Sequence, residues 1–389
     1  MHELRVGMVG YKFMGKAHSN AWVRANQFFD PGIKAVMRAV CGRDEGAARA
    51  FAENWGWQTV ETDWRRLVAR PDIDVVDIVT PNNLHPVIAI EAAKQGKHVL
   101  CEKPLARSLA EARKMLAAVR AAKVMSMAWQ NYRRVPAVQL ARQLVEQGKL
   151  GRIFHVRAVY LQSWIIDPSV PLIWRLDAKV AGSGSHGDLN AHIIDTARFI
   201  TGLEPVEVAA HMETFIKERP LGRMTGGLAT ARAGGGRKGK VTVDDAVISL
   251  ARFSNGAVGT FEATRFASGH HNALGIEVNG SKGAIMFEFE RMNELKYFNS
   301  ADPPNVQGFR TIQATVPGQH EYVSAWWPPG HVIGYEHPFV HQCVDFMKAV
   351  KAGKPAQPDF LDSTRNQAVL EAMSLSAKRH RWVSVPKIK

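Results

Sequence analysis

Short apolar runs and amphipathic stretches alternate through the first third of the chain. Residues 5–10 form an apolar run, Tyr11-Lys12-Phe13-Met14-Gly15 a break, and residues 16–28 a helical pattern. Apolar runs recur at 33–41, at 74–80, at Val99-Leu100-Cys101 and at 124–129. Helical periodicity lies between them, over about 44–55, 86–95 and 108–122. Successive βα units of this kind predict a parallel, doubly wound sheet. Near Asn131-Tyr132-Arg133-Arg134 the rhythm changes. Residues 153–162, 245–253, 257–264 and 275–278 alternate with period two, and Asn255-Gly256 and Asn279-Gly280 read as hairpin turns. An open, predominantly antiparallel sheet with helices on one face is expected there. Two late amphipathic stretches, 338–352 and 362–378, should cover a sheet or pack back on the first domain. The expected fold is therefore α/β followed by α+β, with domains at 1–130 and 131–389. The glycine-rich, basic stretch 226–239 reads as a mobile loop.

Composition narrows this picture without changing it. A chain of 389 residues with 46% hydrophobic side chains suits two soluble domains, each with its own core. No apolar run approaches the ~18 residues that span a bilayer, and the first residues carry no signal-peptide pattern. Cys41, Cys101 and Cys343 are too far apart for a zinc spacing and too few for a disulfide framework, which points to a reduced, cytoplasmic protein. The net charge of +14 is concentrated in 223–240 and 378–389, without the interleaved aromatics that stack bases. That distribution argues against a nucleic-acid partner. A basic balance also suits an anionic dinucleotide.

Three places carry candidate chemistry. In the first turn Gly10 and Gly15 hold the outer positions of a glycine-rich fingerprint that opens a helix, with Lys12 at the middle one. Such a turn presents backbone N–H groups and the positive helix end to a pyrophosphate. At the tip of the second strand, Gly42-Arg43-Asp44 replaces the acidic residue that would grip a ribose 2′-hydroxyl. Arg43 there suits a 2′-phosphate, which makes NADP the preferred of the two cofactors, NADP and NAD. In the second, Glu102-Lys103-Pro104 ends a buried strand, because proline has no N–H for the ladder, and leaves Lys103 where open α/β sheets bind ligands. In the third, Gly182-Ser183-Gly184-Ser185-His186-Gly187 feeds a helix over about 188–201. On it Asp188, His192 and Asp195 share a face at i, i+4 and i+7. A carboxylate one turn from an imidazole suits proton transfer. No further ligands at metal spacing accompany the pair, so no metal is expected.

The ordered set Gly10…Gly15, Thr80-Pro81-Asn82 with His85, Glu102-Lys103-Pro104, Asn131-Tyr132-Arg133 and Gly187-Asp188…His192…Asp195 resembles the Gfo/Idh/MocA oxidoreductases over nearly the whole chain. The run 161–175 and Trp327-Pro328-Pro329-Gly330-His331 are more loosely similar to that family's levoglucosan dehydrogenase group. The resemblance implies a Rossmann domain followed by an open-sheet domain. It also implies an NAD(P)-dependent dehydrogenase acting on a ring hydroxyl of a sugar, anhydrosugar, glycoside or inositol. Its cofactor residues would be Gly10, Lys12, Phe13, Met14, Gly15, Arg43, Thr80, Pro81, Asn82, His85, Glu102, Lys103 and Asn131. Lys103, Asp188 and His192 would be catalytic, with His192 the general base, Lys103 on the reacting oxygen and Asp188 a positioning group. Tyr132, Gln162, Trp164, Trp174, Arg175 and His337 would bind substrate. Relatives that form dimers or tetramers imply a homo-oligomer. The rivals are a nicotinamide-dependent glycosidase, separated by net cofactor reduction, and a non-catalytic dinucleotide sensor.

Overall fold

A computed structural model of the chain describes residues 3–224 and 231–389. The chain divides into two compact units, Met1–Arg134 with Gly334–Arg365 and Lys389, and Val135–Ile333 with Asn366–Ile388. In the first unit six strands, β1 (Glu3–Val9), β2 (Lys34–Cys41), β3 (Thr59–Glu61), β4 (Val75–Ile78), β5 (His98–Cys101) and β6 (Ser126–Ala128), form one sheet in the order β3-β2-β1-β4-β5-β6. Every pairing is parallel. All four residues of β4 are buried, as are Val99, Leu100 and Cys101 of β5. Helices cover both faces of such a sheet, which is why these strands read as unbroken apolar runs. Some of its helices begin where short polar side chains cap them. Asp44 accepts from the Ala47 N–H at 3.0 Å, and Ser108 from that of Glu111 at 3.3 Å. The late helix His337–Ala352 belongs to this unit and packs on the first helix, Phe13–Phe28. Its Gln342 donates to the Ala128 carbonyl at 2.6 Å and its Asp345 accepts from Arg134 at 2.8 Å.

The second unit is built on a nine-stranded sheet. Its members are β7 (Ile153–Leu161), β8 (Pro205–Glu213), β11 (Ala246–Phe253), β12 (Val258–Thr264), β13 (Ala273–Gly280), β14 (Gly283–Glu288), β15 (Glu294–Asn299), β16 (Arg310–Gln313) and β17 (Val383–Ser384). The order is β16-β15-β14-β13-β7-β12-β11-β8-β17. Only β12 and β7 run parallel. The period-two alternation maps onto the two faces: Val156, Ala158, Phe261, Ala263, Leu274 and Ile276 are buried, while Ile248, Leu250 and Val258 stand outward and exposed. Against the inner face lies the helix Ala191–Thr201, nearly all of it buried.

Two expectations need correction. The stretch 226–239 was expected as a loop; its residues 231–239 lie in β10 (Ala231–Lys240), antiparallel to β9 (Glu218–Met224), and 226–230 fall outside the described residues. Backbone pairing needs no apolar side chains, so a ribbon of glycines and basic residues gives no alternation to read. Packing sets part of its composition, because a Cβ on Gly239 would stand 2.6 Å from Leu172 and 2.9 Å from Leu221. The second concerns Asn279-Gly280, which is the end of β13 and not the turn; the reversal falls at Ser281-Lys282. Gly280 is glycine because a Cβ there would lie 2.1 Å from the Leu150 carbonyl oxygen. Among the described residues no helix is long and apolar enough to cross a membrane, and no cluster of His, Cys, Asp or Glu could hold a metal ion.

Candidate active site

In the first unit the turn after β1 is shaped for close approach. Gly10 has φ +112°, and a Cβ there would sit 2.7 Å from the Val79 carbonyl oxygen; one on Gly15 would sit 3.0 Å from that of Gly10. The helix that follows has no side-chain cap at Lys12 and no acidic residue in its first turn, so its leading N–H groups remain for an anion. Lys12 and Phe13 are exposed and Met14 half-buried. Phe13 stacks on Tyr335 at 6.5 Å. At the tip of β2, Asp44 is committed to its helix cap while Arg43 is exposed. Gly42 lies under the Tyr11 ring, where a Cβ would be 2.2 Å from a ring carbon, so no acidic side chain fits at that position.

Thr80, Pro81 and Asn82 follow β4, half-buried. His85 is fully buried, with its ring nitrogens 3.0 Å from the Thr80 carbonyl oxygen and 3.1 Å from that of Pro104. Burial lowers its pKa. It therefore braces the Thr80 and Pro104 segments against each other instead of facing a ligand. Lys103 is half-buried just past the end of β5, and its backbone N–H donates to Glu102 at 3.0 Å. Asn131 and Tyr132 are buried. The Thr80 hydroxyl and the Asn131 amide nitrogen are buried polar atoms without a hydrogen-bond partner among the described residues. Such atoms are costly unless something else satisfies them. Together with the Gly10 and Gly15 cradle they fit a dinucleotide. His337, in the same unit, accepts from the Gly334 N–H at 3.0 Å, and burial lowers its pKa too.

The second unit gathers Gln162, Trp164, Asp188 and His192 through residues that the sequence did not flag. The Asp244 carboxylate takes the Gly184 N–H, the Ser185 hydroxyl and the His186 N–H, each at 2.7 Å, and so folds the loop that precedes the helix. The expected regular helix from 188 is in fact a π turn, His186–Asn190, leading into Ala191–Thr201. Its wider winding places Asp188 differently from an i, i+4 neighbour of His192. Asp188 is half-exposed and accepts from the buried Arg265 at 2.7 Å, and the Arg265 guanidinium lies 5.4 Å from the Trp164 ring. Trp164 donates to Gln162 at 2.9 Å, and Gln162 donates to Asn272 at 2.8 Å. Tyr160 donates to the same Asn272 oxygen at 2.7 Å and lays its ring 6.0 Å from that of His192. Asp195 is buried, at 1% exposure. Trp174 and Arg175 sit together on a short 3-10 turn, the guanidinium 4.4 Å above the indole. Arg265, Tyr160 and Asn272 left no motif in the sequence. The one available signal was the arginine that closes the alternating run of β12.

A parallel six-stranded sheet with an anion-ready first turn, followed by an open sheet covered by a helix that carries a buried histidine and is preceded by a carboxylate–arginine pair, is the plan of a two-domain dinucleotide-binding oxidoreductase. Two family models match the chain: the oxidoreductase family's NAD-binding Rossmann fold over residues 4–129 and the GFO/IDH/MocA C-terminal domain over 138–286. The levoglucosan dehydrogenase of Pseudarthrobacter phenanthrenivorans is 44% identical over 394 residues, covering all of both chains. A solved levoglucosan dehydrogenase in complex with NADH and levoglucosan superposes with TM-score 0.93 at 41% identity, over 99% of this chain and 100% of that one. An oxidoreductase domain protein from Kribbella flavida does so with TM-score 0.94 at 50% identity, over the whole of both. The chain belongs to the Gfo/Idh/MocA oxidoreductases.

Proposed function

We propose that this enzyme oxidises a secondary ring hydroxyl of a sugar, anhydrosugar or inositol to the ketone, with levoglucosan-like anhydrosugars first among candidates. The observation that carries this is the Asp188–Arg265–Trp164–Gln162 cluster, linked through Asn272 and Tyr160 to the ring of His192. It offers N–H donors, carboxylate and amide acceptors and a flat indole face of the kind a sugar ring engages, on a chain similar throughout to levoglucosan dehydrogenases. A bound nicotinamide accepts the hydride. His192 takes the hydroxyl proton, Lys103 donates a hydrogen bond to the developing oxyanion, and Asp188 orients the substrate. Tyr132, Trp174, Arg175 and His337 complete the substrate contacts. The Gly10–Gly15 turn, with Lys12, Phe13 and Met14, takes the pyrophosphate. Thr80, Pro81, Asn82, Glu102 and Asn131 line the remainder, and His85 shapes it from behind. Arg43 favours NADP, while the NADH complexes of relatives support NAD as a second cofactor.

The test is a screen of anhydrosugars, glycosides and polyols with both cofactors, followed at the nicotinamide absorbance. Net reduction of cofactor is expected; release of hydrolysed sugar without it would support the glycosidase instead, and cofactor binding with no turnover of any substrate the sensor. On the best substrate His192→Ala and Lys103→Met should each lower turnover about 10²–10⁴-fold with dinucleotide affinity preserved. The double variant should lose less than the product. Near-normal turnover in either single variant removes that residue from the mechanism.

A further inference from the structure

Beneath the strand tip that carries Lys103 lies a set of buried charges, of which the proposed function gives no role to His18 or Asp77 and gives Glu102 only a place along the cofactor. His18 of the first helix is fully buried, as is Asp77 of β4, and Glu102 at the end of β5 is 5% exposed. The His18 Nδ1 lies 3.1 Å from both Asp77 oxygens, and its Nε2 lies 2.9 Å from Glu102 Oε1. Each Asp77 oxygen also takes an indole N–H at 2.9 Å, Oδ1 from Trp129 and Oδ2 from Trp22. Asp77 is thus filled as an acceptor on both sides. The second oxygen of Glu102 takes the backbone N–H of Lys103 at 3.0 Å. An imidazole with carboxylate oxygens at both nitrogens satisfies both only when it donates from both. The rings of Trp129, 3.9 Å away, and Phe339, 5.7 Å away, close the pocket around that ring.

Buried ionic groups of this kind do not stabilise a fold better than well-packed apolar side chains of the same volume would. Their geometry has another consequence here. The Glu102 carboxylate is gripped on one oxygen by His18 and on the other by Lys103, so the strand-tip backbone is tied to the middle of the sheet. We propose that His18 is a positioning residue for Lys103: its doubly protonated ring, anchored by Asp77, holds Glu102 in the orientation in which the carboxylate also takes the Lys103 N–H. The triad sets where the Lys103 side chain starts, and so where its ammonium meets a reacting oxygen. The kinetic part of this inference rests on the catalytic reading of Lys103; the structural part does not. Burial by itself opposes a charged ring, but the Asp77 charge and the hydrogen bonds to Asp77 and Glu102 outweigh it and hold the His18 pKa up at about 9.

The test needs no substrate in its first arm. In the full-length protein labelled with ¹⁵N on histidine ring nitrogens, with His18→Gln to assign the signal, both His18 nitrogens should appear protonated at pH 7.5. A neutral tautomer there overturns the proposal. In lysine-labelled protein the Lys103 amide, assigned with Lys103→Met, should lie far downfield and exchange slowly, and Glu102→Gln should shift it upfield and speed its exchange. An amide indifferent to Glu102→Gln overturns it equally. On a substrate the parent oxidises, Glu102→Gln and His18→Gln should lose about 10²-fold in kcat, the cost of displacing a reacting group by about an ångström. For His18→Gln, a residue outside the proposed cofactor contacts, dinucleotide Kd should change little. A loss confined to folding or to Kd, with kcat intact, would mean that the triad is only structural. Failure of the parent to oxidise any substrate would strike the functional reading and leave both spectroscopic arms decisive.

Discussion

Arg265 is 1% exposed at its side chain and Asp188 29%, and that asymmetry decides what the carboxylate does. The guanidinium is enclosed, and Asp188 takes one of its N–H groups, which anchors the carboxylate oxygen nearest the β12 end. Removing one partner of a buried, charge-assisted bond costs more than the bond contributes. Arg265→Met should therefore lower stability by about 1–3 kcal/mol and turnover by about 10-fold or more. Lysine at the same position should restore the charge without the bond geometry. Kinetics and thermal melts of both variants check this; an unchanged kcat would show that Asp188 holds its orientation unaided. His18 gives a second residue-scale prediction. Its pKa is raised above the ordinary histidine value of about 6.5, so its contribution is full below that value. It is lost as pH climbs through about 9. The gap in melting temperature between the parent and His18→Gln should narrow across that window. A gap constant from pH 6 to 10 would mean a ring that never charges.

Among the elements, the tip of β2 and the π turn show how a local rule can be read and still mislead. Gly42 stands where a dinucleotide-binding fold usually places an acidic residue, and the Tyr11 ring leaves room for nothing larger. Asp44, the nearest carboxylate in sequence, spends its oxygen on the Ala47 N–H. Arg43→Ala should thus weaken NADP by about 1.5–3 kcal/mol, the range for a charge-assisted hydrogen bond, and leave NAD nearly unchanged. Equal loss for both in a fluorescence titration would show that Arg43 does not read the 2′-phosphate. The π turn at His186–Asn190 is the opposite situation. Asp188 and His192 were legible as a pair, but the turn that separates their directions depends on Asp244, some 55 residues away, pinning the loop before it.

For the molecule as a whole, the outer face of the nine-stranded sheet remains to be accounted for. Ile248 is 58% exposed, Leu250 51% and Val258 51%, on the neighbouring strands β11 and β12. Apolar patches of that kind on one face of a sheet mark interaction surfaces, and a second copy of the chain is the occupant we propose, giving a dimer or tetramer. Light scattering at micromolar concentration should find an oligomer, and Ile248→Glu with Leu250→Glu should reduce its order. A parent that scatters as a monomer would end the idea.

Period-two and helical spacing, glycine turns and strand-end prolines act over a few residues. For that reason the chain alone disclosed the parallel sheet, four strands of the second sheet and the Gly10–Gly15 turn, and pointed to Lys103, Asp188 and His192 as candidates without the π turn that sets the last two apart. The ribbon of β9 and β10, the strands β8 and β14 to β16, and the reversal at Ser281 left no such spacing, although most of them pair with the next strand in the chain. Backbone ladders carry no pattern where both faces are mixed. The same holds inside the sites. Nothing near Arg265 says that Asp188 will be its partner, and nothing near His18 says that Asp77 and Glu102 will take both its nitrogens. A buried charge is tolerated only where the folded chain supplies its counter-charges, so tertiary structure alone decided that His18 is held between two carboxylates.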